Sequence, residues 1–459
     1  MVYQRYLKNF IFSCFVCCLI FLLAVCYQIG ADTKISSFYY GMDKIKLDFA
    51  NSINTPKLVI TSGSNSLYGI SSKIITDETG ITTVNSAIYI GFGIDYILHR
   101  AKLILKPGDT VLLPLEYDLY FPNALPDKEG LNSLIDYTFA HDPAYLLNHP
   151  WLIVKMPFGR LMNGIFAKHH PYPPTDLSPW IGKSGDALGN READITQKER
   201  AELNRQGPIQ VTKLKFDAYE FRVIKNFAQW CHKNKIRLLA TWPNTMWFDV
   251  YNQPIYQDFF RDIEKFYKSI GVPVLGTYKD FMYDKSLFFN TIYHLNHKGV
   301  RIRSHQLMTL LKSFFQEMGT PNKNNDSSQA AVFQLRPKRF GQEIKLLDQL
   351  KNMKVNETIK LPIMVKNVSN FDWDAKEINP INFSYRWIDN NGKVIVFDGE
   401  RTLLPERLTP QKSTQLNAVI KSPNRPGNYN LILTMVEEYT AWFNDKGAQP
   451  LKIPVIVTP

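Results

Sequence analysis

Cysteine is scarce in most of this chain of 459 residues. Four of the five cysteines, Cys14, Cys17, Cys18 and Cys26, fall in one apolar stretch near the start, and Cys231 stands alone in the remainder. A disulfide within that remainder is therefore excluded, and Cys231, on the apolar face of a predicted helix, is expected in the core. The chain is long enough for two or three domains, each of which can bury its own core without such cross-links.

Acidic residues are fewer than basic ones, and clusters with metal-ligand spacing are absent from the sequence. Lys and Arg number 54 against 42 Asp and Glu, and the resulting charge of +12 is spread along the chain. Such diffuse positive charge favours an anionic neighbourhood, such as acidic glycans or lipid headgroups. The densest basic cluster, 336–340, is too short to predict a nucleic-acid site. No grouping of His, Cys, Asp and Glu has metal-ligand spacing, so neither a metal nor another cofactor is expected.

Charged residues are absent from Asn9 to Ala31, and this apolar stretch is long enough to cross a bilayer. Arg5 and Lys8 precede it, so the positive-inside tendency predicts a cytoplasmic amino terminus and export of the rest. A cleavable signal peptide would share these features, but the box Leu23–Cys26 carries valine where a small residue is usual. We therefore expect residues 1–31 to form a cytoplasmic tip and a single-pass inner-membrane anchor, with the bulk of the chain in the periplasm.

The apolar run Lys57–Ile60 stops abruptly at Gly63, Ser64 and Asn65. A run without polar alternation predicts a parallel strand buried on both faces, and Gly63 permits a sharp turn into a helix. Ser64 would then lie at the carboxyl edge of the sheet, where open α/β sheets bind ligands and helix N–H groups favour an oxyanion. Taken alone, the stretch also fits a simple capped turn.

Alternating strands and helices continue beyond this turn and predict a parallel sheet with right-handed crossovers. The predicted strands are 82–85, 110–115, 236–241 and 272–276, and the predicted helices include 66–75, 91–105 and 257–270. A segment of about 121–215 interrupts the pattern and is expected as a lid insertion over the carboxyl edge. Its apolar part, 151–166, contains Lys155 and Arg160, which favours a lid helix or an interfacial helix over a membrane span.

A histidine, His294, precedes another amphipathic helix far downstream, in the stretch Asn290–Gly299. The two stretches together resemble the SGNH, or GDSL-like, hydrolase and acyltransferase superfamily, with Gly63-Ser64-Asn65 as its first block and His294-Leu295-Asn296 plus Gly299 as its last. The resemblance covers roughly Lys57 to Phe315. It implies a flavodoxin-like parallel sheet in an α/β domain of residues 50–318.

The resemblance implies that Ser64 is the nucleophile and that His294 is its base. The family normally carries an acidic residue shortly before the histidine, where this chain has Asn290 and Thr291. Asn290 could orient the ring through its amide oxygen without supplying a charge. Asp284 is an alternative, but it lies further back along the chain.

The third predicted strand ends in Glu116 and Tyr117, where the superfamily usually carries a Gly-x-Asn-Asp block. This Pro-x-Glu-Tyr sequence resembles the branch attached to acylation of cell-envelope polysaccharides. Glu116 could orient a substrate hydroxyl and Tyr117 could donate to an oxyanion, although a solvated carboxylate and a packing ring are equally open. The full set of oxyanion or substrate-binding candidates is Asn65, Asn85, Glu116, Tyr117 and Trp242, and the Trp242 ring could either line a cleft or pack.

The last third of the chain has a different pattern. A polar stretch at 319–332 predicts a linker, and the following residues, 333–459, contain short apolar strands separated by turns such as Asp389–Gly392. This spacing predicts an immunoglobulin-like β-sandwich as an accessory domain.

These features predict a membrane-anchored periplasmic serine O-acyltransferase, of O-acetyl groups, or an esterase acting on a cell-surface polysaccharide. The expectation draws on the resemblance to alginate O-acetyltransferases and the teichoic-acid D-alanylation protein, in which a membrane-bound O-acyltransferase supplies the acyl group. The missing acid favours an alternative, a catalytically inactive SGNH-like glycan-binding or assembly protein of the envelope polysaccharide machinery.

Overall fold

The computed structural model of the protein describes residues 2–121, 128–319, 338–350, 352–375, 380–438 and 441–459. The chain divides into two compact units, the first made of Met1–Thr76 with Ile81–Gln334 and the second of Asp77–Gly80 with Leu335–Pro459. Nearly all of the predicted linker at 319–332, and the predicted domain start at 333, lie outside the described residues.

Among the described residues, the α-helices lie in the first unit, except that Asp77–Thr79, at the end of α4, belong to the second. They are α1 (Val2–Tyr27), α2 (Lys34–Ser52), α3 (Ser64–Leu67), α4 (Ser72–Thr79), α5 (Gly93–Lys102), α6 (Lys128–His141), α7 (Pro143–Asn148), α8 (Trp151–Val154), α9 (Phe158–His169), α10 (Gln197–Arg205), α11 (Tyr219–Lys233), α12 (Pro254–Ser269) and α13 (His297–Gly319).

The strands occur in both units. Those of the first are β1 (Leu58–Ile60), β2 (Thr83–Asn85), β3 (Thr110–Leu113), β4 (Arg237–Thr241), β5 (Thr245–Met246), β6 (Val274–Leu275) and β7 (Met282–Tyr283). Those of the second are β8 (Gln342–Leu346), β9 (Met353–Lys354), β10 (Thr358–Asn367), β11 (Ile381–Asp389), β12 (Val394–Val396), β13 (Thr402–Leu403), β14 (Ser413–Lys421), β15 (Gly427–Glu437), β16 (Ala441–Trp442) and β17 (Leu451–Thr458).

The first unit is built on a five-stranded parallel sheet of order β2-β1-β3-β4-β6. Strand β1 is fully buried between β2 and β3, as its uninterrupted apolar sequence predicts. The chain runs from β1 to β2 on one side and returns to β3 on the other, so the crevice at the carboxyl end of β1 is a switch point where such sheets bind ligands. The predicted parallel α/β sheet is confirmed at this level.

Helix α1 is long and apolar enough to cross a membrane and is largely exposed over that length. Helix α2 follows it at once, beginning before residue 50, the predicted start of the α/β domain. It packs against α6 and β2, and several of its buried side chains are polar, including Asp43 and Lys46.

Two predicted helices are interrupted in the structure. The helix predicted for 66–75 is divided into α3 and α4 at Gly69, where a side chain would collide with the Asn65 carbonyl, the Asn244 amide and the Arg303 guanidinium. The single helix predicted for 151–166 is also wrong, because it is divided into α8 and α9 just before Phe158, where Pro157 cannot donate the hydrogen bond that a continuous helix requires.

The second unit is β-rich and resembles a sandwich. A three-stranded sheet, β14-β10-β8, and a larger sheet, β12-β11-β15-β17-β9, contribute inward residues to one apolar core. Trp373, Trp387 and Trp442 are all buried, which assigns these rings to packing.

Candidate active site

The turn after β1 is held by a buried carboxylate. Glu116, which follows β3, accepts hydrogen bonds from the backbone N–H of Gly63 at 3.0 Å and of Asn65 at 2.9 Å. A Cβ at Gly63 would collide with this carboxylate, so glycine is required for the close approach. Burial raises the pKa of Glu116, and the two N–H donors oppose that shift. Ser64, between the two donors, is thereby fixed at the start of α3.

The buried guanidinium of Arg303, in α13, also contacts this turn. It donates to Asn65 Oδ1 at 3.2 Å and to the Trp242 carbonyl at 3.2 Å, and it also contacts the Asn244 amide oxygen. Burial lowers the pKa of Arg303 to about 10, so the group remains charged at neutral pH, with Glu116 contributing favourably to that charge. The amide of Asn65 also donates to the Pro114 carbonyl at 2.8 Å, so both of its ends hold the turn.

His294 bridges Ser64 and Asn290. Its Nε2 lies 2.8 Å from Ser64 Oγ, and its Nδ1 lies 2.8 Å from Asn290 Oδ1. An amide oxygen can only accept, so this contact places the ring proton on Nδ1 and leaves the Nε2 lone pair facing the serine hydroxyl. The three side chains form the geometry of a nucleophile, a base and an orienting group.

The imidazole of His294 lies in an apolar setting. Burial lowers its pKa to about 4, and the Tyr68 ring packs against it with centroids 4.5 Å apart. The ring is therefore neutral at pH 7, the form that can accept a proton from Ser64. The uncharged Asn290 offers no electrostatic compensation that would raise this pKa.

The loop that carries His294 is fixed by hydrogen bonds on both sides. The His294 carbonyl accepts from the Phe289 N–H at 2.7 Å, and the Asn296 side chain donates to the Ser286 carbonyl at 2.8 Å. The side chain of Asn190 donates to the Leu295 carbonyl at 2.7 Å. Asn190 belongs to the predicted lid insertion, so part of that segment borders the site.

Asn85 ends β2 beside the serine turn. Its side-chain amide donates to the carbonyls of Ser66 and Ile70, at 2.8 and 3.2 Å, and to Asp186 at 3.1 Å. Asp186 also accepts from the hydroxyl and backbone N–H of Ser72. These contacts tie the serine turn to the insertion, and the role of Asn85 as an oxyanion donor stays a prediction.

Tyr117 and Trp242 lie in the core of the unit rather than at its surface. Tyr117 is completely buried against Phe259 and Phe260, and burial raises its pKa well above the usual value. Trp242 is 2% exposed, and its indole N–H donates to the Gly276 carbonyl at 3.0 Å. Both rings therefore pack in the core and do not line a cleft.

One donor near the serine remains available for an oxyanion. Within the described residues, the backbone N–H of Ser64 has no hydrogen-bond partner, whereas those on either side of it are bound to Glu116. A substrate carbonyl attacked by Ser64 Oγ would develop its negative charge close to this N–H.

Sequence reasoning missed Arg303 and Tyr68. Arg303 could have been found, because it lies three residues after Val300 and four before Leu307, on the buried face of α13. A charged residue on the apolar face of a helix signals a buried partner. Tyr68, which directly follows α3, gave no comparable signal.

In the part of the chain that the structure describes, no group of three or more His, Cys, Asp or Glu side chains could hold a metal ion.

No protein-family model and no curated protein matches the sequence. Among solved structures, the CARDB domain of a Pyrococcus furiosus protein is 18% identical, covers 26% of this chain and 95% of that domain, and has a TM-score of 0.18. A beta-glucosidase from Listeria innocua is 9% identical over 82% of this chain and 68% of that enzyme, with a TM-score of 0.22. Both likenesses are too weak to support an argument about fold or function.

Proposed function

We propose that the protein is a membrane-anchored serine O-acyltransferase or esterase of the SGNH type, which transfers an acyl group, acetyl, onto or off a cell-surface polysaccharide. The observation that carries the proposal is the hydrogen-bonded series Ser64, His294 and Asn290, with 2.8 Å at each contact. The strand order β2-β1-β3-β4-β6, which is flavodoxin-like, and the position of Ser64 after β1 support the family.

In the first step, Ser64 Oγ attacks the carbonyl of the acyl donor while His294 Nε2 takes the hydroxyl proton. The charge that develops on the carbonyl oxygen is stabilised by the Ser64 backbone N–H. Collapse of this intermediate expels the donor's leaving group, which receives the proton from His294, and leaves the acyl group on Ser64. A sugar hydroxyl, or water in an esterase, then attacks the acyl-serine while His294 takes its proton. Collapse of this second intermediate breaks the bond to Ser64 Oγ, which receives the proton back from His294, and releases the acylated sugar or the free acid.

The cellular setting is part of the same proposal. Helix α1 anchors the protein in the inner membrane, the remainder lies in the periplasm, and a membrane-bound O-acyltransferase supplies the acyl group. The second unit acts as an immunoglobulin-like accessory domain beside a polysaccharide substrate. The length and composition of α1 and the sandwich-like core of the second unit support this arrangement.

The test is acyl transfer from an activated acetyl ester to isolated cell-surface polysaccharide by the full chain in detergent. Ser64→Ala is expected to lower the rate by at least about 10³-fold, and the pair Ser64→Ala with His294→Ala should cost no more than either change alone. Ser66→Ala is the matched control, because Ser66 Oγ bonds to Ser62 rather than to the histidine. Full activity in Ser64→Ala would refute the assignment of the nucleophile.

A second candidate function is glycan binding or assembly by an SGNH-like domain without chemistry. The uncharged Asn290 favours it, since no carboxylate stabilises an imidazolium at His294. Wild-type protein that binds the polysaccharide but transfers and hydrolyses no acyl group would select this alternative.

A further inference from the structure

Helix α9 has an exposed apolar face. Phe158, Met162 and Phe166 recur every four residues and are 75%, 48% and 58% exposed. This spacing puts the three side chains on one side of the helix. We call them the apolar stripe. Val154, at the end of α8, is 85% exposed as well.

The opposite face of α9 is attached to the end of α1. Arg160 donates to the Gln28 side chain at 2.5 Å, and Lys168 donates to the Ile29 carbonyl at 2.7 Å. At the carboxyl end of α9, on the same side as Phe166, the Tyr27 hydroxyl lies 3.0 Å from His169 Nε2. Gly164 has no room for a side chain, because a Cβ there would collide with the Gln28 amide. Helix α9 is therefore held against the residues that follow the apolar part of α1.

The length of α1 locates these residues relative to a bilayer. A hydrocarbon core of about 30 Å needs about 20 helical residues at about 1.5 Å each. Lys8 is the last charged residue before the apolar stretch, so a helix that enters the core next to it leaves the core near Ile29. Ile29 is one of the residues that α9 contacts, so α9 lies at the level of the membrane boundary.

We propose that α8 and α9 lie in the membrane–water interface, with the apolar stripe inserted at the boundary between lipid headgroups and acyl chains. An exposed basic side chain, Lys155, precedes the stripe, where it can meet lipid phosphates. The occupant of this face is thus lipid, and its continuity with α1 is the reason for preferring lipid to a protein partner.

The proposal requires α1 to span the membrane, but it does not depend on acyl transfer at Ser64. It accounts for an apolar surface that is additional to the packed face of α9: Arg160, Leu161, Gly164 and Ala167 are buried, whereas the apolar stripe is exposed. Two attachments to the bilayer would also fix the orientation of the first unit above the membrane surface.

The experiment introduces the photoreactive residue p-benzoylphenylalanine at Phe158 or Phe166 of the full chain in vesicles of phosphatidylethanolamine and phosphatidylglycerol. Irradiation followed by mass spectrometry is expected to give lipid adducts at both positions. Leu19, within α1, is the positive control, and Ile255, an exposed apolar residue of α12 at 54%, is the matched control that should give only background.

Adducts at Leu19 with none at Phe158 or Phe166 would refute the interfacial position while leaving α1 as a span. Absence of adducts at all of these positions would refute both. In native membranes, a protein adduct at the stripe in place of lipid would show that a partner covers this face, and that outcome also overturns the proposal. None of these results depends on enzymatic activity, so failure here is distinguishable from failure of the proposed function.

Discussion

Burial makes His294 a weaker base than an ordinary histidine, because its imidazolium loses a proton more readily. Because burial lowers the pKa of His294 to about 4, the neutral base persists well below pH 6.5, its ordinary pKa. We predict that kcat/KM falls only as the pH drops through about 4, since kcat/KM reports the free enzyme's ionisations. In Asn290→Asp, a carboxylate next to Nδ1 favours the imidazolium, raises this pKa and moves the acid limb to higher pH.

The measurement is a pair of pH–rate profiles for the wild type and Asn290→Asp. Above both pKa values the variant's activity should be unchanged or raised, because the new carboxylate stabilises the imidazolium formed during attack. Superimposable profiles would mean that Asn290 does not contact the base in the working protein.

Glu116 is expected to act by positioning the serine turn. In Glu116→Gln one of the two oxygens that accept from Gly63 and Asn65 becomes an NH₂ group, which leaves a buried N–H unpaired. We predict a loss of about 1–3 kcal/mol in the free energy of unfolding, together with slower acylation of Ser64. Denaturant unfolding and reactive-probe labelling measure the two effects.

Glu264→Gln serves as the control for this change, because Glu264 is exposed on α12. If Glu116→Gln unfolds and reacts as the control does, the carboxylate does not hold the turn.

At the residue scale, the sequence identified the side chains whose types carry chemistry. The apolar strand ending in Gly63 and Ser64, and the late His294 with Asn290 four residues before it, are local patterns, and the structure brings these groups into contact. The support of the turn was not predictable in the same way. Glu116 and Arg303 reach it from distant parts of the chain, and only the fold brings them there.

At the element scale, α2 is the clearest case of a helix that is difficult to predict from its sequence. Its buried face includes Asp43 and Lys46, so the apolar periodicity that signals an amphipathic helix is weak. These polar groups have partners in the fold: Asp43 pairs with Arg100, and Lys46 donates to the Ala87 carbonyl. Burial lowers the pKa of Lys46 to about 7.

Asp43→Ala is predicted to destabilise the first unit strongly. The change leaves the buried Arg100 without its carboxylate, and such a loss typically costs about 3–5 kcal/mol. Unfolding of the full chain in mild detergent, followed by tryptophan fluorescence, measures the effect.

Asp48→Ala is the matched control on the same helix. Its partner is Lys44 in an exposed pair that solvent screens, so the change should have little effect on the free energy of unfolding. Equal effects of the two substitutions would mean that α2 is not packed as described.

At the scale of the whole molecule, one topology is expected. Arg5 and Lys8 before the apolar stretch predict a cytoplasmic amino terminus. With this topology, alkaline phosphatase fused after Pro459 should be active in cells and a cytoplasm-dependent fluorescent protein there should be dark. Replacing Arg5 and Lys8 by glutamine should weaken this preference. The reverse reporter pattern would contradict the periplasmic location.

Composition and patterning were sufficient to predict an apolar helix, a parallel α/β unit and a β-rich unit, because each has its own periodicity. The positions at which the predicted helices are interrupted were harder to predict. Glycine is required at position 69, between α3 and α4, because Asn244 and Arg303, which lie far away in sequence, leave no room there for a side chain. The strand order likewise depends on long-range pairing, such as that of β1 with both β2 and β3.

The central claim is that His294 activates Ser64 as a nucleophile, and covalent labelling tests it most directly. The full chain is treated with a fluorophosphonate and digested, and the modified residue is identified by mass spectrometry. We predict one adduct on Ser64 in the wild type and in Ser66→Ala, and its loss in Ser64→Ala and His294→Ala. A wild-type chain that remains unlabelled, or an adduct that persists undiminished in His294→Ala, would contradict the account.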